Sequence, residues 1–276
     1  MNRLRSPIRW FGGKGRLDLN NWVLPILESI PHKIYVEVFG GGGGLLVAKK
    51  PSPQEVYNDI DSSLYEFFEV ISKEDLFQQF YRRISVLPYS RQLYEESKNY
   101  KEEPDKIERV SKWFIVIRNK FGGIPDSEGW CSSSSSKDAW LNCIPKLVKI
   151  HKRLQNVVLE NSDWRKILSG YDNEEILLYL DPPYVHSTRT GGGYDFEISE
   201  EDHEELVEKI LNLKSHVVLS GYENEIYKPL ENNGWKLLKK RVAVFSSSSK
   251  EGEKKNFREE CLWIKPFIDK RKIFFV

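Results

Sequence analysis

Asp181, Pro182, Pro183 and Tyr184 stand together at the end of the apolar run ILLYL, inside the stretch Ile176–Glu197. Their order can do chemistry. Proline holds φ at about −65° and removes an amide donor, so two in succession fix the chain just past a strand end. A carboxylate and a phenol ring are then held at the carboxyl edge of a sheet, where ligands of open α/β folds bind. An exocyclic amine on a nucleobase needs acceptors for its two N–H bonds. The Asp181 side chain and the Pro182 carbonyl can supply them and draw the nitrogen lone pair toward an electrophile. A flat base also needs a stacking surface, which Tyr184 can give. The plain alternative is a turn.

A second candidate lies upstream. The run VEVF leads into five consecutive glycines, Gly40 to Gly44, and then into LLV. Glycine lets the backbone approach a ligand closely and adopt positive φ, which suits a nucleotide-like group, and Gly40 and Gly42 are the chosen contacts. YNDID closes the next apolar run. An acid there can accept hydrogen bonds from both hydroxyls of a ribose; Asp59 is the first choice and Asp61 the second, with helix capping open to Asp61. Such a loop serves a dinucleotide or S-adenosylmethionine alike. The bracket at Asp181–Tyr184 favours the latter, because an oxidoreductase has no evident use for it.

The elements that must position these residues are legible as short apolar runs. KIYVEVFG (33–40), QEVYND (54–59), NVVLENSDW (156–164), ILLYLDPPY (176–184) and SHVVLSGYE (215–223) each end in Gly, Asp, Asn or a turn. Near-continuous apolar runs read as strands buried on both faces, hence a parallel sheet with helices on each side. Between the last two runs, Ser199 can cap a helix whose Leu206, Ile210 and Leu213 recur at helical spacing, making a β-α-β unit. Residues 64–155 contain no convincing strand. SLYEFFEVISKEDLFQQFYRRISVL (63–87) and DKIERVSKWFIVIRNKF (105–121) read as helices with aromatic faces. A catalytic domain at 1–63 and 156–276 is therefore expected, with an inserted helical domain at 64–155. Long loop closures cost little extra per residue. The serine tracts Ser132–Ser136 and Ser246–Ser249 read as loops, and a terminal strand pair is expected at Lys236–Phe245 and Glu260–Ile264.

Composition sets wide bounds. The chain has 276 residues, 42 Lys+Arg against 41 Asp+Glu, and a net charge of +1. Nucleic-acid binding is neither demanded nor excluded, since it depends on local patches. Arg3, Arg5, Arg9, Lys14 and Arg16 all precede the first acid, Asp18. Cys131, Cys143 and Cys261 form no C-x-x-C pair, which argues against a disulfide framework or a zinc site. No signal-peptide or membrane-span stretch is evident. A cytoplasmic protein acting without a membrane is expected.

In order along the chain, RWFGGKGRL, VEVFGGGGGLL, YNDID, WFIVIRNKFGG, LENSDW, LDPPY, FEISEEDHEEL and FREECLWI resemble the motifs of Dam-type DNA adenine-(N-6) methyltransferases. The resemblance covers nearly the whole chain. It implies a Rossmann-like α/β methyltransferase sheet with an inserted, mainly helical DNA-recognition domain. It implies methyl transfer from S-adenosylmethionine, leaving S-adenosylhomocysteine, to adenine flipped out of a short duplex sequence. Trp10, Lys14, Phe39, Gly40, Gly42, Asp59, Asp163 and Asp181 are then expected at the cofactor, although Asp163 can equally cap the next helix. Asp181, Pro182 and Tyr184 are expected at the reacting amine. The sulfonium is already activated, so no metal is called for.

Arg9, Arg118, Asn119, Lys120, Arg189, Lys254 and Lys255 are the expected DNA contacts. Lysine and arginine on phosphates give affinity, while arginine or asparagine at base edges gives specificity. Duplex DNA is the expected partner and a monomer the expected state, with a cognate restriction endonuclease compatible as a functional companion. Three rival readings stay open: methylation of the cytosine exocyclic amine, a catalytically inactive DNA-binding relative, and a nicotinamide-dependent oxidoreductase.

Overall fold

The apolar runs become seven strands of one sheet. The structure, a computed structural model, describes residues 3–8, 10, 17–119, 130, 133–185, 196–243 and 257–266. The strands are β1 (Ile34–Glu37), β2 (Gln54–Asn58), β3 (Val157–Glu160), β4 (Ile176–Leu180), β5 (His216–Gly221), β6 (Lys236–Ala243) and β7 (Phe257–Ile264). The described helices are α1 (Leu17–Ser29), α2 (Gly44–Ala48), α3 (Ser62–Ser72), α4 (Glu74–Ser85), α5 (Arg91–Ser97), α6 (Lys106–Asn119), α7 (Ser134–Leu154), α8 (Trp164–Gly170), α9 (Glu200–Asn212) and α10 (Lys228–Asn232).

The strand order is β3-β2-β1-β4-β5-β7-β6. Strands β1 to β5 pair in parallel, and β7 runs antiparallel between β5 and β6. The expected Rossmann-like α/β sheet is present. Its order reverses between β1 and β4, which are direct neighbours with Glu37 opposite Tyr179. At such a reversal the two flanking loops diverge to opposite faces and leave a crevice at the carboxyl edge.

Both faces of the sheet are buried at β1, β2, β4 and β5, and side chains alternate between them with the period of two that a strand imposes. Tyr35, Tyr57, Leu177 and Tyr179 join one core with residues of α1–α4, α6 and α7. Val36, Val56, Leu178 and Leu180 join a second core with α8, α9 and α10. The helices between β2 and β3 thus pack into the same core as one sheet face, through Phe67, Phe68, Phe114 and Trp140.

The helical stretch expected at 63–87 is two helices. Lys73 adopts an extended backbone and serves as C-cap of α3 and N-cap of α4. The first serine tract, read as a loop, opens α7 instead. Ser133 is the N-cap, its Oγ accepting from the Ser136 amide, and Ser134–Ser136 form the first turn. Serine is poor inside a helix but good at its start, where it satisfies an orphan amide. The helix at Glu200–Asn212 has the Ser199 cap, as a full capping box with Asp202. The terminal strand pair forms at β6 and β7. The second serine tract lies outside the described residues.

Candidate active site

The loops after β1, β2, β3 and β4 enclose a cavity of about 410 Å³ at the carboxyl edge of the sheet. Its size suits a cofactor, since small-molecule pockets run from about 300 to 1,000 Å³.

The glycine loop forms the first wall. The Gly40 amide donates to the Asn58 carbonyl at 2.7 Å, which draws the loop against β2. A Cβ at Gly40 would lie 2.2 Å from Tyr57 Cε2, so no larger residue fits there. Gly43, at φ 63°, caps α2 in a left-handed conformation that L side chains rarely adopt. Trp10 lies over the loop, within 3.0 Å of where a Cβ on Gly41 would sit, and also lines the cavity with Phe39. Its indole tilts against Trp113 of α6, with ring centroids 6.4 Å apart.

Asp59, just past β2, lines the cavity and clamps the glycine loop. Its Oδ2 accepts from the Gly41 amide at 2.7 Å and its Oδ1 from the Asp61 amide at 2.9 Å. Burial raises its pKa to about 6 despite those hydrogen bonds. The Ile60 amide also holds the carboxylate, and part of the acceptor capacity of its two oxygens is left for a ligand. Asp61 caps α3 through the Ser63 amide and also borders the cavity. Asp163 caps α8 through the Arg165 amide, the plain alternative to its expected cofactor role, and also lines the cavity.

Of the residues after β4, Asp181 and Pro183 line the cavity. Pro182 is buried. Tyr184 turns away toward β5 and β7, where its hydroxyl meets Ser220 and Glu260. Gly40, Gly42, Asp59, Asp163 and Asp181 are therefore brought together, with Trp10 and Phe39, around one space.

Several residues of the site were not singled out from the sequence. Glu37 ends β1, is 2% exposed, and lines the cavity. Tyr35 donates to its Oε1 at 2.9 Å, yet burial raises its pKa to about 8. The signal was an acid inside the apolar run IYVEVF. Asn58 staples three loops: its amide nitrogen donates to the Val38 and Ser162 carbonyls, and its oxygen accepts from the Ser162 amide. Arg165 stacks over Trp164 at 4.3 Å and binds Asp202 and Glu205 of α9, closing the far wall.

The electrostatics are one-sided. Among the described lining residues Glu37, Asp59, Asp61, Asp163, Asp181, Glu197 and Asp202 are acids, and Arg165 is the single base. Carboxylates crowded in a partly dry cleft favour a bound cation and oppose a pyrophosphate. A sulfonium and an ammonium fit such a lining.

Of the DNA-contact candidates, Arg118 and Asn119 lie among the described residues. Arg118, near the end of α6, donates to the Ala139 carbonyl of α7 at 3.0 Å. Asn119 is 5% exposed and donates to the Ile115 carbonyl of its own helix at 2.7 Å. Arg9, Lys14, Lys120, Arg189, Lys254 and Lys255 lie outside the described residues.

Among the described residues, no helix is long and apolar enough to cross a membrane. No curated protein sequence matches the chain. Similar solved structures include precorrin 8w decarboxylase from Methanobacterium thermoautotrophicum, at 10% identity and a TM-score of 0.43 over 96% of this chain and 99% of that one. The C-terminal domain of precorrin-6Y C5,15-methyltransferase from Rhodobacter capsulatus is 11% identical, with a TM-score of 0.41 over 96% and 99%. Precorrin-6y C5,15-methyltransferase from Geobacter metallireducens is 10% identical, with a TM-score of 0.39 over 90% and 87%. Residues 10–244 match the D12 class N6 adenine-specific DNA methyltransferase family.

Proposed function

Because this chain belongs to the D12 class N6 adenine-specific DNA methyltransferase family, we propose that it methylates the exocyclic amine of an adenine flipped out of a short duplex DNA sequence, using S-adenosylmethionine. One observation carries the reading. Asp181 and the glycine loop share a single acid-lined cavity at the reversal of strand order. The same lining weighs against the oxidoreductase reading, because a dinucleotide would bring its pyrophosphate among seven carboxyl groups.

S-adenosylmethionine supplies a methyl group already activated on a sulfonium. The chain's own residues bind and align. Trp10, Phe39 and the glycine loop wall the cofactor, Asp59 offers acceptors to a ribose, and Asp163 borders the adenine end. The acids of the lining hold positive charge, and Glu37 joins them as pH rises through its raised pKa of about 8. Asp181 and the Pro182 carbonyl accept the two N–H bonds of the target amine. Tyr184, outside the cofactor cavity, is assigned the face of the base. The amine loses its proton after its nitrogen becomes cationic, so Asp181 need not be a strong base, and alignment supplies most of the rate.

We assign 1–63 and 156–276 to catalysis and 64–155 to target recognition, on the course of a chain that leaves the sheet after β2 and re-enters at β3. Cytoplasmic action on DNA and a monomeric state belong to the same reading. The test is incubation with methyl-labelled S-adenosylmethionine and mixed-sequence duplex DNA, followed by digestion to nucleosides. Label on N6 of adenine is expected. Label on cytosine would replace the substrate assignment, and no transfer would end the enzyme reading.

A further inference from the structure

Tyr184 is held by more than the two prolines before it. The residue is 8% exposed, and its ring meets the half-buried ring of Tyr222 edge-on, with centroids 4.5 Å apart at 71°. Its hydroxyl lies 2.8 Å from Glu260 Oε2 and 3.2 Å from Ser220 Oγ. Glu260 comes from β7, and is itself 8% exposed. The three residues after it, Cys261, Leu262 and Trp263, are buried and apolar. A carboxyl group at the head of that run is costly to desolvate unless it is bonded, and the phenol of Tyr184 is a donor to it. Burial, reinforced by Asp181 and Glu260, holds Tyr184 well above the ordinary tyrosine value, so the phenol keeps the proton it donates.

An aromatic ring turns about its Cβ–Cγ bond in a broad torsional well. Tethering the hydroxyl to acceptors on β5 and β7 fixes the far end, while the prolines fix the near end. Because the hydroxyl oxygen lies on the axis of that bond, the tether holds the position and tilt of the ring, and the edge-on packing of Tyr222 sets its plane, before any base arrives.

We propose that Glu260 is a positioning residue for methyl transfer, holding the Tyr184 ring in the orientation in which the target base stacks, with Ser220 and Tyr222 as braces. This rests on the assignment of Tyr184 to the base made above. Glu260 stands across the sheet edge from the cofactor cavity and is not among its lining residues. Its loss should therefore be felt in the chemical step and not in cofactor binding.

The test compares wild type, Glu260→Ala, Glu260→Gln, Tyr184→Phe and the double variant Glu260→Ala/Tyr184→Phe in steady-state transfer from labelled S-adenosylmethionine to duplex DNA. Misplacing a reacting group by about 1 Å costs on the order of 100-fold, so we expect kcat of Glu260→Ala to fall about 10- to 100-fold while KM for S-adenosylmethionine stays within about twofold. Tyr184→Phe should fall as far, and the double variant no further than the lower single one, because both remove the same tether. Glu260→Gln keeps an acceptor and should regain most of the loss. Losses that multiply in the double variant would overturn the proposal, as would wild-type kcat in Glu260→Ala. If Glu260→Ala fails to fold, Tyr184→Phe decides alone: undiminished kcat there refutes the tether. No transfer by the wild type would instead defeat the underlying function and leave a distinct result.

Discussion

At the residue scale, the site depends on a few carboxyl groups with different environments. Asp181→Ala removes the acceptor that the proposed function assigns to the amine, and we expect at least about a 100-fold loss of transfer. Cofactor affinity, measured by calorimetry, should fall only modestly, since the other acids remain. Glu37 behaves differently. Its pKa is about 8 in the folded chain, raised chiefly by burial from an ordinary value of 4.5. A carboxyl group that binds its proton more tightly when folded adds stability below its unfolded pKa, and that contribution is lost as pH climbs through the folded value. Glu37→Gln should therefore melt higher than wild type at pH 8.5, by at least about 2 °C, and gain less at pH 5. Cofactor binding has the opposite sign. Ionised Glu37 attracts a cation, so wild-type affinity should rise between pH 6.5 and about 8.5. In Glu37→Gln that rise should flatten, and equal slopes would exclude Glu37 as the group responsible.

At the element scale, the glycine loop and the helix starts can be tested separately. Gly40→Ala would place a Cβ 2.2 Å from Tyr57 Cε2 and 2.6 Å from Cδ2. Because Tyr57 is fully buried, it cannot swing aside. Overpacking of this kind costs about 1–3 kcal/mol, so both melting temperature and cofactor affinity should drop. Ser133→Ala removes the α7 cap and should cost about 1 kcal/mol in denaturant unfolding, with no change in cofactor affinity. Elements differed in how plainly they could be read. Strands such as IYVE and ILLYL stood out because both faces are buried, leaving unbroken apolar runs. The capping box at Ser199 was equally open. The break at Lys73 was not, because the apolar period continues across it and only the backbone changes. Nor was α7, whose serine start and internal Pro145 mimic a loop.

At the scale of the whole molecule, the two lines of chemistry meet because β1 and β4 are neighbours, and DPPY with the glycine loop made that meeting legible from the sequence. The supporting residues were harder to find. Glu37, Asn58 and Glu260 are single polar residues beside apolar runs, and only the fold shows what each one touches. The described helices between β2 and β3 share a core with the sheet through Phe67, Phe114 and Trp140. We expect one cooperative thermal transition, seen alike by near- and far-ultraviolet circular dichroism. Two separated transitions would show that residues 64–155 unfold on their own.

The position of β7 also has a consequence for the order in which the protein is made. The strand is translated after the other described strands, yet it belongs inside the sheet, between β5 and β6. During synthesis the chain must keep a slot beside β5 open, and β6 has no neighbour to pair with until Phe257–Ile264 leaves the ribosome. The carboxyl group that meets Tyr184 arrives with the same strand. Until then a nascent chain can carry the glycine loop, DPPY and Ser220 with the tyrosine still lacking its carboxyl partner, and under the role proposed for Glu260 full methyl transfer should begin only when the sheet closes.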